Sequence, residues 1–467
     1  MKTFGILTIS FLLILFSCKK DSFITSAEAR ITISANTLKY DTVFVTAGST
    51  YQFFKIINEN NQKLRVSSVK LMGANSNYSI NVDGIVGPQV NNIDIEANDS
   101  LYVFVQVNVN PNANNLPFII RDSVQVSYNG KNKLVQLEAW GQNAHFLRNK
   151  EISADEIWNN DLPYVILGSL FIYPDKSLTI NKGCRIYIHA DAPVVVDGSL
   201  IINGQKDTAD RVYFRGDRLD EPYKDFPASW PGIFFRGSSK NNVLNYSVIK
   251  NAYQAIAAED PSANANPKII LNECVIDNAY DAGIIALNSS IQARNCLVSN
   301  CGKNIVLAKG GNYQFTHCTV ASYSNNFIQH KDPVLYLSNF IKVNNVPVPS
   351  NLTATFTNCI FWGEGGQVDN EVVSDKNSGA TYNVTFNQAL WKTTGVSPNF
   401  TIIQPTPINQ TPQFDSINIS KNYYDFRLKA NMSPAIDKGT NAGVTIDLDG
   451  KPRPLGIKPD LGCFEKQ

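Results

Sequence analysis

Over residues 30–145 apolar and polar positions alternate with the period of half-buried strands. Examples are Thr42-Val43-Phe44-Val45, Tyr51-Gln52-Phe53-Phe54-Lys55-Ile56, Leu101-Tyr102-Val103-Phe104-Val105-Gln106-Val107 and Leu134-Val135-Gln136-Leu137-Glu138-Ala139. The clusters Asn58-Glu59-Asn60-Asn61, Asp83-Gly84 and Asn129-Gly130 separate them as turns. Short strands at this spacing predict an antiparallel sandwich. From Pro163 the pattern changes. Apolar runs such as Ser177-Leu178-Thr179-Ile180, Arg185-Ile186-Tyr187-Ile188 and Val194-Val195-Val196 each end in a turn, with no helical segment between them. The chain reads as all-β.

A repeat runs through the second region. Residues 269–278 can be laid on 291–300 and on 313–322, and Cys274, Cys296 and Cys318 fall 22 residues apart. The aligned columns are Leu271, Ala293, Phe315; Ile276, Val298, Val320; and Ile284, Val306, Ile328, with Asn251, Asn278 and Asn300 at a turn. If each period is one coil of a parallel solenoid, equivalent residues lie about 4.8 Å apart and stack as ladders. Asparagine at a turn then hydrogen-bonds the neighbouring coil. A single coil cannot bury its own apolar face, so roughly ten coils are expected between residues 163 and 440.

Three resemblances follow from these residues. Tyr40-Asp41-Thr42-Val43-Phe44-Val45, Ile56-Ile57-Asn58, Asp99-Ser100-Leu101 and Ala139-Trp140-Gly141-Gln142 make residues 30–145 resemble immunoglobulin-like modules of the Hydin and major-sperm-protein type. Such a module implies a spacer or docking surface, with Trp140 in its core. The ladders, with Gly198-Ser199-Leu200-Ile201-Ile202-Asn203-Gly204 and Trp230-Pro231-Gly232-Ile233-Phe234-Phe235, make residues 150–440 resemble a right-handed parallel β-helix of the pectin-lyase-like superfamily. Pro434-Ala435-Ile436-Asp437-Lys438-Gly439, Asp447-Leu448-Asp449-Gly450 and Asp460-Leu461-Gly462-Cys463-Phe464-Glu465 make residues 433–467 resemble the closing segment of choice-of-anchor β-helix surface proteins, expected to cap the open solenoid end.

The N-terminus sets the expected address. Lys2, an apolar run from Phe4 to Phe16 and Leu15-Phe16-Ser17-Cys18 before polar Lys19-Lys20 resemble a bacterial lipobox. That resemblance implies a signal over residues 1–17, acylation of Cys18 and a tethered linker over 18–29; an ordinary secretory signal is the alternative. Two or three acyl chains anchor stably, so the expected location is the cell envelope, on the outer membrane. A net charge of +1 gives no electrostatic reason to expect nucleic acid or an anionic surface as partner, and no nucleotide is expected. Seven cysteines follow Cys18, and their regular spacing predicts buried small hydrophobes; one disulfide between Cys296 and Cys301 is the alternative.

Candidate chemistry is sparse. Hydrolases of this fold need paired carboxylates, and lyases need acidic Ca²⁺ ligands with a base. The outward columns Lys250, Asp277, Ser299, Ala321; Gln254, Asp281, Lys303, Asn325; and Glu273, Asn295, His317, Asn358 concentrate neither. His317 reads as a turn residue. Trp362 and Trp391 are candidate platforms for sugar rings, with packing under a loop as the plainer alternative. Asp447, Asp449 and Asp460 are candidate Ca²⁺ ligands, against Asp–Arg453 pairing within a cap. Thr42, Ser100, Ser123, Thr208 and Ser416 each follow Asp and precede an apolar residue, resembling an acceptor motif for O-linked glycans; the plain alternative is turn chemistry. The expectation is an envelope lipoprotein with a non-catalytic binding or adhesion role toward a polysaccharide or other glycan. A polysaccharide lyase or glycoside hydrolase, or a purely structural protein, are the alternatives.

Overall fold

A computed structural model describes residues 22–44, 51–108, 118–220, 223–403 and 408–466. The chain divides into two units, residues 1–143 and 144–467. Among the described residues every long element is a strand, and the helical segments are two short 3₁₀ turns.

The first unit holds two five-stranded sheets. One runs Ile31–Ile33, Gln52–Asn58, Ser100–Val107, Tyr78–Val82, Ile85–Gly87 in lateral order, all antiparallel. The other runs Thr37–Phe44, Lys131–Gln142, Phe118–Tyr128, Leu64–Leu71, Gln89–Ile95, with one parallel contact between its first two strands. Alternation puts Phe54, Ile56, Val103 and Val105 of one sheet, and Val66, Val69, Val124 and Val126 of the other, in the core. Tyr40 donates its hydroxyl to the Val105 carbonyl at 2.6 Å, tying one sheet to the other. The Asp83-Gly84 and Asn129-Gly130 turns take positive φ at both positions, as tight hairpins require. Trp140 departs from expectation and is 44 % exposed. Val135, Leu137, Ala139 and Gly141 take the inward positions of its strand, so the register turns Trp140 outward.

The second unit is built on a 23-stranded parallel sheet in a ring-like arrangement. Each coil contributes short strands that pair in parallel with their counterparts one coil on, so side chains stack in columns. One column reads Trp158, Ile180, Ile202, Leu244, Leu271, Ala293, Phe315, Phe356, Phe386, Ile402. The phenyl rings of Phe315, Phe356 and Phe386 stack at 5.5 and 4.9 Å. Cys274, Cys296, Cys318 and Cys359 form a buried thiol column, and all seven described cysteines are free, so Cys296 and Cys301 are not joined.

One predicted column slips. Ile284 pairs with Ile305 and then Leu335, in place of Val306 and Ile328. The corner from Asp277 to Ala282 is one residue longer than its counterpart from Ser299 to Lys303, and a bulge at Leu287/Ser289 restores the register.

The coiled sheet starts at His145 and ends at Ile402. The hairpin Phe414–Asn418 and Tyr423–Leu428 follows, then the C-terminal strap. The strap does not close an end. Leu448, Leu461, Cys463 and Phe464 pack with Leu297, Ala321, Ile360, Trp362 and Leu390 along the side of successive coils. Arg211 donates to the Leu448 carbonyl at 3.1 Å, carrying the contact to an earlier coil.

Candidate functional site

Coil corners position the polar groups of this protein. Asn251, Asn278 and Asn300 each sit at positive φ, 64°, 58° and 51°, where asparagine bears the left-handed conformation better than most residues. Their amides donate to the carbonyls of Asp277, Ser299 and Ala321 one coil on. The side chains form the expected ladder only in part. Asn278 Nδ2 donates to Asn251 Oδ1 at 2.9 Å and to the Asp225 carbonyl at 2.9 Å. Asn300 turns away, accepting from the Tyr323 amide at 3.1 Å and reaching Asp277 at 3.5 Å. The break leaves Asn278 Oδ1 buried and unpartnered.

The break lies in a cleft of about 370 Å³. One wall is the outward column Lys250, Asp277, Ser299. The Lys250 ammonium pairs with Asp277 at 3.0 Å, and Ser299 donates to the other Asp277 oxygen at 2.7 Å. The Asp277 charge holds the Lys250 pKa above the usual lysine range. The 3₁₀ turn Tyr223–Asp225 closes one rim, and the hairpin overhangs the other with Lys421, Asn422, Tyr423 and Tyr424. Tyr423 is exposed, while the Tyr424 hydroxyl is buried without a partner. Burial, then the nearby Asp277 charge, raise the Tyr424 pKa, so it stays a neutral donor.

The polar groups of this corner are largely committed to one another. Both Asp277 oxygens are committed, which removes that carboxylate as an acid or base. An unpartnered acceptor and an unpartnered donor remain, together with paired charges and an exposed phenol. Buried polar atoms of this kind are costly until a ligand or water meets them.

The expected site residues lie elsewhere. Trp362 and Trp391 are 5 % and 1 % exposed, so neither indole presents a face to a sugar. Trp362 packs beneath the strap and donates to Glu364 at 2.9 Å, and Trp391 packs against Phe386 inside the coils. The acidic strap residues do not converge on a cation. Asp447 accepts the amides of Asp449, Lys451 and Glu465 at 2.8–2.9 Å, and Asp460 those of Asp437 and Lys466 at 2.7 and 2.6 Å. Asp449 pairs with Arg427 at 2.8 Å. Among the described residues no group of three or more His, Cys, Asp or Glu is placed to hold a metal. Arg453 pairs with Glu465 at 3.1 Å rather than with an Asp carboxylate.

Of the hydroxyl candidates, Thr208 is exposed, while Ser100, Ser123 and Ser416 are half-buried in strands. Asp99 and Asp122 each accept the amide of the following serine at 2.7 Å, the first capping the start of its strand and the second within one. The Thr42 side chain and Cys18 lie outside the described residues. Sequence reasoning identified the asparagine column but missed Tyr423 and Tyr424, whose only signal is a tyrosine pair after a Lys-Asn turn.

No family model matches the chain, and no curated protein matches it. Among solved structures it is similar to a family 123 glycoside hydrolase from Clostridium perfringens, analysed for glycolipid glycan hydrolysis, at 11 % identity and a TM-score of 0.19. The likeness covers 26 % of this chain and 30 % of that one, so the chain spans less than a third of its length. An overlap this small bears on neither activity nor ligand.

Proposed function

We propose that this is an envelope lipoprotein, acylated at Cys18 and held on the outer membrane, in which an immunoglobulin-like module carries a right-handed parallel β-helix that binds carbohydrate without cleaving it. One observation carries the binding reading: Asn278 Oδ1 and the Tyr424 hydroxyl, an acceptor and a donor, are both buried without a partner in the lining of one cleft. A polyol offers complementary groups to both, and Tyr423 supplies an aromatic face beside them. The commitment of Asp277 to Lys250 and Ser299 supports binding over hydrolysis.

The test is a panel of neutral and acidic polysaccharides presented to residues 24–467, with and without Ca²⁺. Binding without new reducing or unsaturated ends is expected, and Tyr424→Phe, which removes a hydroxyl that has no partner, is expected to abolish binding of the neutral polysaccharides while leaving the thermal transition in place. Release of product would replace this reading with an enzyme. Absence of any binding would leave a structural role.

A further inference from the structure

The two outer faces of the first unit both expose apolar side chains, Trp140 and Ile119 on one and Phe53 and Phe104 on the other, but differ in charge. The sheet containing Leu64–Leu71 and Lys131–Gln142 carries ion pairs on its surface, Arg65–Asp94 at 2.7 Å and Arg121–Glu138 at 3.1 Å. The opposite sheet carries rings. Phe53 faces Phe104 across one strand pair, Phe104 faces Asn81 across the next, and Asn81 faces Val86 across the third. Tyr102 stands two positions from Phe104 on the same strand. Phe53, Tyr102, Phe104 and Val86 are 49, 40, 39 and 69 % exposed. The rings of Phe53, Tyr102 and Phe104 lie 5.2–5.9 Å apart, and those of Tyr102 and Phe104 are within 13° of parallel.

Among the described residues the cation of this face is Lys55, and a carboxylate, Glu59, stands at its edge, held by the Thr32 hydroxyl at 2.5 Å. Lys55 opposes Tyr102, and its ammonium sits 4.6 Å from that ring, with no ion pair among the described residues. Four strands about 4.8 Å apart, over about four residues of about 3.3 Å each, give a platform of roughly 14 by 13 Å. That is about 200 Å², far below the roughly 800 Å² per partner of a stable protein interface. A flat sheet face with one cation also lacks the cluster of basic residues and the insertable apolar edge of a membrane-binding surface. A narrow polymer fits the dimensions. Sugar rings offer C–H faces to the aromatics and hydroxyls to the Asn81 amide, and a carboxylate complements the unpaired ammonium.

We propose that this face is a second binding site, separate from the corner cleft, and that its ligand is an acidic polysaccharide.

The experiment uses the full chain in detergent, with polygalacturonate and alginate as probes, dextran as a neutral control, anionic phospholipid vesicles as the membrane probe, and light scattering for self-association. Both uronans are expected to bind at low salt and to be displaced at high salt. The double variant Phe53→Ser/Phe104→Ser is expected to bind them more than tenfold more weakly. Lys55→Gln, a change at a partly exposed position that leaves the core untouched, is expected to cost roughly tenfold for the uronans. An unchanged thermal transition establishes that either variant is folded. No uronan binding, or binding that both platform variants retain, overturns the proposal. So does uronan binding lost in Tyr424→Phe but kept in the platform variants, which assigns it to the cleft. Vesicle binding or a dimer that the platform variants abolish, without uronan binding, overturns it in favour of that other occupant.

Discussion

His317 should make the second unit lose stability in mild acid. Its ring is buried at the coil corner under the strap, with Asn358 Nδ2 at 2.9 Å from Nε2 and the Arg453 guanidinium against Nδ1. Both neighbours are donors, and the Asp460 and Gly462 carbonyls, which favour the added proton, are outweighed. Burial first, then the Arg453 charge, push the pKa from its ordinary 6.5 down to about 2. A group with a depressed folded-state pKa binds protons better in the unfolded chain. Its stabilisation is therefore complete above pH 6.5 and is lost as pH falls toward the folded value. At about 1.4 kcal/mol per pH unit, the loss at pH 5.0 is roughly 2 kcal/mol. Asp460 and Glu465 beside it have pKa values raised by burial and act in the opposite sense above their ordinary values. The comparison with His317→Gln isolates the histidine. Urea midpoints at pH 7.5 and 5.0 should fall further in the wild type than in the variant, by an amount equivalent to about 2 kcal/mol. Parallel shifts in the two proteins would refute the argument.

Three further outcomes follow from packing. Phe356→Ala opens a cavity between Phe315 and Phe386 and should cost about 3–5 kcal/mol in denaturant unfolding, with a cost below about 1 kcal/mol contradicting the ring stack. Lys268 is fully buried and donates to the carbonyls of Arg236, Gly237 and Glu259 at 2.6–3.1 Å, so Lys268→Met, which strands all three, should lower stability by roughly 3 kcal/mol by thermal unfolding. The seven buried thiols, with Cys184 pushed up to about 11 and Cys463 to about 12, should ignore a thiol reagent at pH 8 until denaturant is added; a fast-reacting thiol in protein lacking residues 1–18 would show the ladder to be open.

The columns were legible because identical spacing repeats a chemical type: cysteine every 22 residues, with Leu271, Ala293 and Phe315 in step, can stack in only one register. The Ile284 column failed because Ile305 and Val306 are both aliphatic, so a corner shorter by one residue leaves no trace in the pattern. Trp362 takes the plainer of its two readings, packing under a covering segment that the sequence does not locate. It pairs with small Ala321 and is roofed by a strap about 100 residues further along, a contact no local pattern encodes. The cleft likewise joins Asp225, Asp277 and Tyr424, and alternation alone does not tell which face of the Phe53–Phe104 sheet meets water.

The two corner columns show what decides where this protein keeps a site. Glu273, Asn295, His317 and Asn358 share the positive-φ geometry of Asn251, Asn278 and Asn300, and both columns turn amides outward from a coil bend. At the first, the strap supplies partners: Asn295 donates to the Ile446 carbonyl at 2.8 Å, and Asn358 exchanges hydrogen bonds with Thr440 at 2.7 and 2.9 Å. Asn295 Oδ1 is left unpaired there too, but beneath the strap and away from the cleft lining. At the second, the covering elements stop short. The 3₁₀ turn reaches Asn251 and Asn278 with the Lys224 and Asp225 carbonyls, and the hairpin brings Tyr424 without pairing it. The same bend chemistry is structural where a segment seals it and available where none does. Extending the seal should therefore close the site: filling the cleft by Ser299→Tyr is expected to abolish binding of neutral glycans while leaving the corner hydrogen bonds of Asn251 and Asn278 protected in hydrogen exchange. Retained binding would place the site off this corner.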